Sequence, residues 1–69
     1  MSEVTTLGEA LPREIERVQE IIIEYSQFPA GALAASMMKA SVKAAIKAQA
    51  EGDVVQMLVC YEKLKGYEL

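Results

Sequence analysis

Histidine and tryptophan do not occur in the chain, and cysteine occurs once, as Cys60. Without an imidazole, no serine, threonine or cysteine has its usual activating base, so no catalytic residue is expected. The four Cys or His ligands of a structural zinc cannot be assembled either. A lone cysteine closes no disulfide within the chain. Glycine-rich phosphate loops are missing as well: the four glycines stand apart and follow no strand-like run, so no cofactor site is expected. Nor is there a basic excess. Seven Lys and Arg against ten Asp and Glu leave a formal net charge of −3, which argues against a dedicated nucleic-acid binder. No apolar run approaches the ~20 residues that span a bilayer, because Lys39, Lys43 and Lys47 interrupt the Ala-rich segment. The opening Met-Ser-Glu-Val-Thr-Thr has no basic stretch followed by an apolar one, so neither a signal peptide nor a membrane partner is expected. The unpaired thiol makes the cytoplasm the expected compartment.

What is present is a 69-residue chain rich in alanine and aliphatic residues, enough for one domain. A core of this size stabilises only marginally, and small domains usually add a disulfide, a metal or another subunit. The first two are excluded above, which leaves close packing or self-association.

Residues 1–10 carry Ser, Thr, Gly and two glutamates without a sustained apolar period, and are expected to form a mobile arm. Thr6-Leu7-Gly8-Glu9 has the form of a capping box, but a helix started there would hold Pro12 in its interior. A start at Pro12, where the missing N–H costs nothing, fits better. The remainder, residues 11–69, is expected to be a single three-helix domain. The first helix, near residues 12–28, places Ile15, Val18, Ile22 and Tyr25 on one stripe, with Ile21 and Phe28 on its shoulder. It should end before Pro29. The second, near residues 30–51, holds nine alanines, the residue with the best helix propensity. Its apolar arc, about 200° wide, exceeds what one neighbour can cover, so this helix should be central, with Ala45 in a close helix–helix contact. Gly52 suits the left-handed residue that ends a helix, and Asp53 with Gln56 forms a capping pattern for the third, near residues 53–66. There Val54, Met57, Leu58, Tyr61 and Leu64 make the main stripe, with Cys60 off it. The fold class is therefore all-α: a small antiparallel three-helix bundle with a mobile N-terminal arm, helices one and three on opposite sides of helix two.

Residues 45–66 resemble the turn and second helix of a tetratricopeptide repeat, over about a third of the chain. Tyr61 stands at the aromatic position and Ala45 at a small one. Met57 and Leu64 occupy places where the family prefers alanine, and the Trp/Leu-Gly-Tyr signature and a second copy are absent. The resemblance implies a tight antiparallel helical hairpin.

Three groups of residues could carry function. Glu16, Glu20 and Glu24 share a helix face; a di-iron reading needs Glu-x-x-His motifs, so they are expected to be a solvated face. Lys39, Lys43 and Lys47 form a basic stripe at i, i+4, i+8. Three lysines release few counterions on binding a phosphate backbone, so a solvated face or pairing with acidic residues is the leading expectation. Ile23, Val55 and Val59 remain unplaced once the three main stripes are packed, and a patch made of them would be a homo-oligomer interface. The expected function is a small non-enzymatic helical interaction module, self-associating or binding another protein, with a two-fold dimer the favoured state. The alternative is a small dimeric nucleic-acid-binding regulator using Lys39, Lys43 and Lys47.

Overall fold

The computed structural model describes residues 3–68, and side-chain burial from residue 7. Three helices make up nearly all of it: α1 (Glu3–Ser26), α2 (Ala32–Glu51) and α3 (Val54–Lys65), with a 3₁₀ turn at Pro29–Gly31 between the first two. Among the described residues there is no strand. The particle is long and thin, 41 × 22 × 15 Å. Its length follows from α1, whose 24 residues at 1.5 Å rise span about 36 Å.

The start of α1 corrects the sequence-based boundary. The helix does not begin at Pro12 but runs through it, and the backbone of residues 3–10, expected as an arm, is helical. The capping box at Thr6 therefore lies within a helix. The physical reason lies in Leu7 and Leu11, which extend the stripe of Ile15, Val18 and Ile22 across the proline at helical spacing. Leu11 is completely buried and Leu7 half-buried. An interior proline costs about 3 kcal/mol, and fully burying one leucine stabilises by about 1.5–3 kcal/mol, so the two terms are of similar size. The C-terminal end of α1 falls as expected. Phe28, directly before Pro29, is extended (φ −120°, ψ 134°), as the proline ring requires.

Gly31 lies tight against the end of α1. A Cβ there would collide with the Tyr25 carbonyl oxygen, so only glycine lets the 3₁₀ turn fold back against the end of α1. The α2–α3 turn matches the hairpin expected at Gly52. Gly52 is left-handed (φ 66°). Its N–H donates to Gln49 O (3.2 Å) and the Asp53 N–H to Ala48 O (3.0 Å), the paired bonds of a Schellman ending. Asp53 Oδ1 accepts from the Gln56 N–H at 3.1 Å. Because the Asp53 N–H is already bonded to α2, the Gln56 side chain has no reciprocal role, and only half of the capping box forms.

The core joins Leu11, Ile15, Val18, Ile21 and Ile22 of α1 to Ala35, Met38, Val42 and Ala45 of α2, and to Cys60 and Leu64 of α3. Ala45 is fully buried. The Ala-rich helix is central, but α1 and α3 also touch each other directly, so the three helices form a triangle rather than a row. On α3 the buried face is Met57, Cys60, Tyr61 and Leu64, while Val54 and Leu58 point to solvent. Cys60 thus belongs to the stripe it was expected to lie beside. Nearly every residue of α3 before Glu62 is apolar, so periodicity alone defines no single inward face.

Candidate interaction surfaces

The end of α3 is fastened by a residue from α1. Arg17 grips Glu14 with Nε and Nη2, both at 3.1 Å. Its Nη2 also donates to Leu64 O and its Nη1 to Tyr67 O, each at 2.9 Å. These carbonyls belong to the last turn of α3 and its exit, where helical partners run out and the macrodipole is negative. A guanidinium suits the place, since its planar fork serves several acceptors at once. Two tyrosines complete the fastening. Tyr67 Oη shares a hydrogen bond with Ser41 Oγ at 2.9 Å, and Tyr25 Oη donates to Glu68 O at 3.2 Å. Residues 64–68 are therefore tied to both α1 and α2. Sequence reasoning did not single out Arg17; the one signal available was the Glu14-x-x-Arg17 spacing.

Beyond this clasp, the structure leaves several large apolar side chains in solvent. Val54, Val55, Leu58 and Val59 are each more than half exposed and occupy the first two turns of α3. At about 100° per residue, they cover the arc opposite Met57, Cys60, Tyr61 and Leu64. The outward half of α3 is thus as aliphatic as the inward half until Glu62. Val59 also borders the groove between α2 and α3, with Ala40, Ala44 and Lys63.

Ile23 sits elsewhere. It is 61% exposed on the outward crest of α1, beside Glu20, Glu24 and Glu68. Ile23 borders a groove with Arg17 and Glu68 and Val59 one with Ala40 and Lys63, so the expected patch divides into an α3 part, Val55 and Val59, and an α1 part, Ile23. The lysine stripe is exposed along its length, and Lys39 and Lys43 rim a groove of about 340 Å³ between α1 and α2. Glu16, Glu20 and Glu24 are exposed as well. Among the described residues the ion pairs are Arg17–Glu14 and Lys65–Glu62, so neither stripe is neutralised by the other within the chain.

Cys60 is buried and free. Among the described residues no group of three or more His, Cys, Asp or Glu side chains could hold a metal ion. Among the described residues no helix is long and apolar enough to cross a membrane. Compared with protein-family models, with curated proteins and with solved structures, the chain matches none of them.

Proposed function

We propose that this protein is a non-enzymatic, self-associating helical module of the cytoplasm, and that its primary contact with a second copy is the outward face of α3. The observation that carries this reading is the run of Val54, Val55, Leu58 and Val59 in solvent on two successive turns. Scattered exposed aliphatics are ordinary, but four contiguous ones on a short helix form a patch of the kind that marks interfaces. The residue types support it too. Valine and leucine have no hydrogen-bonding chemistry, so the face offers burial and little else. A second copy is the natural occupant because a two-fold pairing buries one patch against an identical one. The chain's lack of histidine supports the non-enzymatic part, and the unpaired Cys60 supports a reducing compartment.

Sedimentation equilibrium across a wide concentration range tests the reading. Wild type should sediment above the monomer mass at micromolar concentration, and Val59→Lys should shift it down. A monomeric mass at high micromolar concentration for both proteins would discard self-association.

A further inference from the structure

The groove that Lys39 and Lys43 rim is built by α1 and α2 alone. Ile22, Val42 and Ile46 form its floor, and Ile46 is left 48% exposed there. Across from the lysines the α1 rim is Gln19, exposed and uncharged. Neither lysine takes part in an ion pair among the described residues. The groove therefore has an apolar floor, one basic wall and one neutral wall.

Each of these features limits what can cover it. The aliphatic floor offers burial and no hydrogen bonds, so a peptide lying over it must satisfy its own N–H and C=O groups, as a helix does. An extended peptide needs a sheet edge, and there is no strand among the described residues. A small free anion would leave the floor wet, and exposed pairs with lysine contribute only about 0.2–1 kcal/mol each. A broad polyanion meets a different obstacle. At about 100° per residue, Glu16 and Glu20 stand about 160° from the buried Val18, beyond Gln19 on the outward side of α1. Both are exposed. A nucleic-acid duplex or an anionic bilayer that reached Lys39 and Lys43 would face these carboxylates as well. A single helix, about 10 Å across, is narrow enough to engage the lysines alone.

We propose that the α1/α2 groove docks an amphipathic helix of another protein, one with acidic residues along one flank of its apolar stripe. Carboxylates four residues apart on that flank match Lys39 and Lys43, because four residues rise about 6 Å on either helix. Apolar residues of the partner at i, i+3, i+4 and i+7 cover Ile46 and the floor beside it. The opposite flank meets Gln19 and, beyond it, Glu16, so it is uncharged or basic. Turning such a helix end for end keeps its apolar side down but exchanges its flanks. The single basic wall thus selects the direction of the bound helix as well as its composition. This contact uses a different face from Val55 and Val59 and does not depend on self-association.

The probe is a labelled helical peptide of roughly 18 residues, with leucines at those spacings, glutamates on one flank and glutamines on the other. A counterpart carries lysines in place of the glutamates. Fluorescence anisotropy against the full chain at roughly 50 mM salt reads both affinities. Wild type should bind the glutamate peptide about tenfold or more tightly than the lysine peptide, and that preference should shrink at roughly 500 mM salt. Lys39→Glu/Lys43→Glu should reverse the preference, which an unfolded variant could not do. The same change of net charge placed on α3, Lys63→Glu/Lys65→Glu, should leave the preference standing. Ile46→Gln should weaken the glutamate peptide about fivefold, through lost burial. Failure of either peptide to bind, equal binding of the two, or a preference that survives the reversal at Lys39 and Lys43 overturns the proposal. So does a preference reversed equally from α3. A DNA duplex, or vesicles of equal parts phosphatidylcholine and phosphatidylserine, could also bind wild type more tightly than the glutamate peptide and lose that binding in Lys39→Glu/Lys43→Glu. The lysines would then serve phosphates, and the proposal falls. Val55→Gln/Val59→Gln should bind the glutamate peptide as wild type does, so failure of the self-association reading leaves this result unchanged.

Discussion

Arg17 holds Glu14 and two carbonyls of the α3 terminus with one guanidinium. Hydrogen bonds to charged groups contribute about 1.5–3 kcal/mol, but the Arg17 side chain is 37% exposed, so water competes for these carbonyls. Arg17→Gln should therefore destabilise by about 1–2 kcal/mol, toward the lower end of that range. Arg17→Lys should recover only part of the loss, since an ammonium cannot fork. Urea midpoints measure both, and faster amide exchange at Tyr67 in Arg17→Gln would locate the loss at the end of α3. Glycine gives a sharper contrast. Gly31→Ala brings a methyl onto the Tyr25 carbonyl and should cost about 1–3 kcal/mol through forced backbone shifts. Gly8→Ala meets open space inside α1, and should stabilise by about 0.5–1 kcal/mol. Thermal melts showing the two substitutions with the same sign would contradict the close approach at Gly31. Ala45, with no exposed surface, should respond to Ala45→Leu with an overpacking cost of about 1–3 kcal/mol.

At the scale of elements, the sharpest question concerns the helical passage through Pro12. Because α1 is continuous from Glu3, Pro12→Ala restores a backbone bond to Gly8 O and removes a steric clash. It should stabilise by about 1–3 kcal/mol and raise far-UV helicity. Unchanged helicity would mean that the helix starts at the proline after all. That start was the expectation from sequence, because the penalty for an interior proline is visible in the residues while the burial of Leu11 depends on what packs against it. The α2–α3 turn was legible for the opposite reason. Gly52 and Asp53 act through their own backbone and the helices they terminate, so no tertiary knowledge is needed. Asp53→Ala should accordingly cost about 1 kcal/mol, the usual loss of an N-cap. The inward face of α3 could not be read in the same way. With Val54, Val55, Met57, Leu58, Val59 and Cys60 all apolar, two faces competed for the core, and the position of α3 against α1 and α2 decided between them. The candidate surfaces inherit this difference. The lysine stripe follows from spacing on one helix, whereas the separation of Ile23 from Val55 and Val59 depends on how the helices are arranged around each other.

The whole molecule exposes 4846 Å². A compact monomer of 7.5 kDa is expected to expose about 4,200 Å². The difference is of the order that a standard dimer buries per partner, about 800 Å². The core, meanwhile, includes Ala35, Ala45 and Ala48, which contribute little area each. Stability should therefore depend on association, and the melting temperature of wild type should rise with protein concentration, as it does when the folded state is the one that binds. Val59→Lys separates this from an ordinary mutational effect. Val59 is more than half exposed in the single chain, and a surface substitution there should change monomer stability by no more than about 0.5 kcal/mol in either direction. A larger fall in melting temperature, together with a weaker dependence on concentration, can then come only from an interface. Scanning calorimetry on both proteins at several concentrations reads the two quantities at once. Wild-type melts that superimpose across a hundredfold dilution would show that the bundle holds together on its own core, and the exposed face of α3 would then contribute nothing to stability.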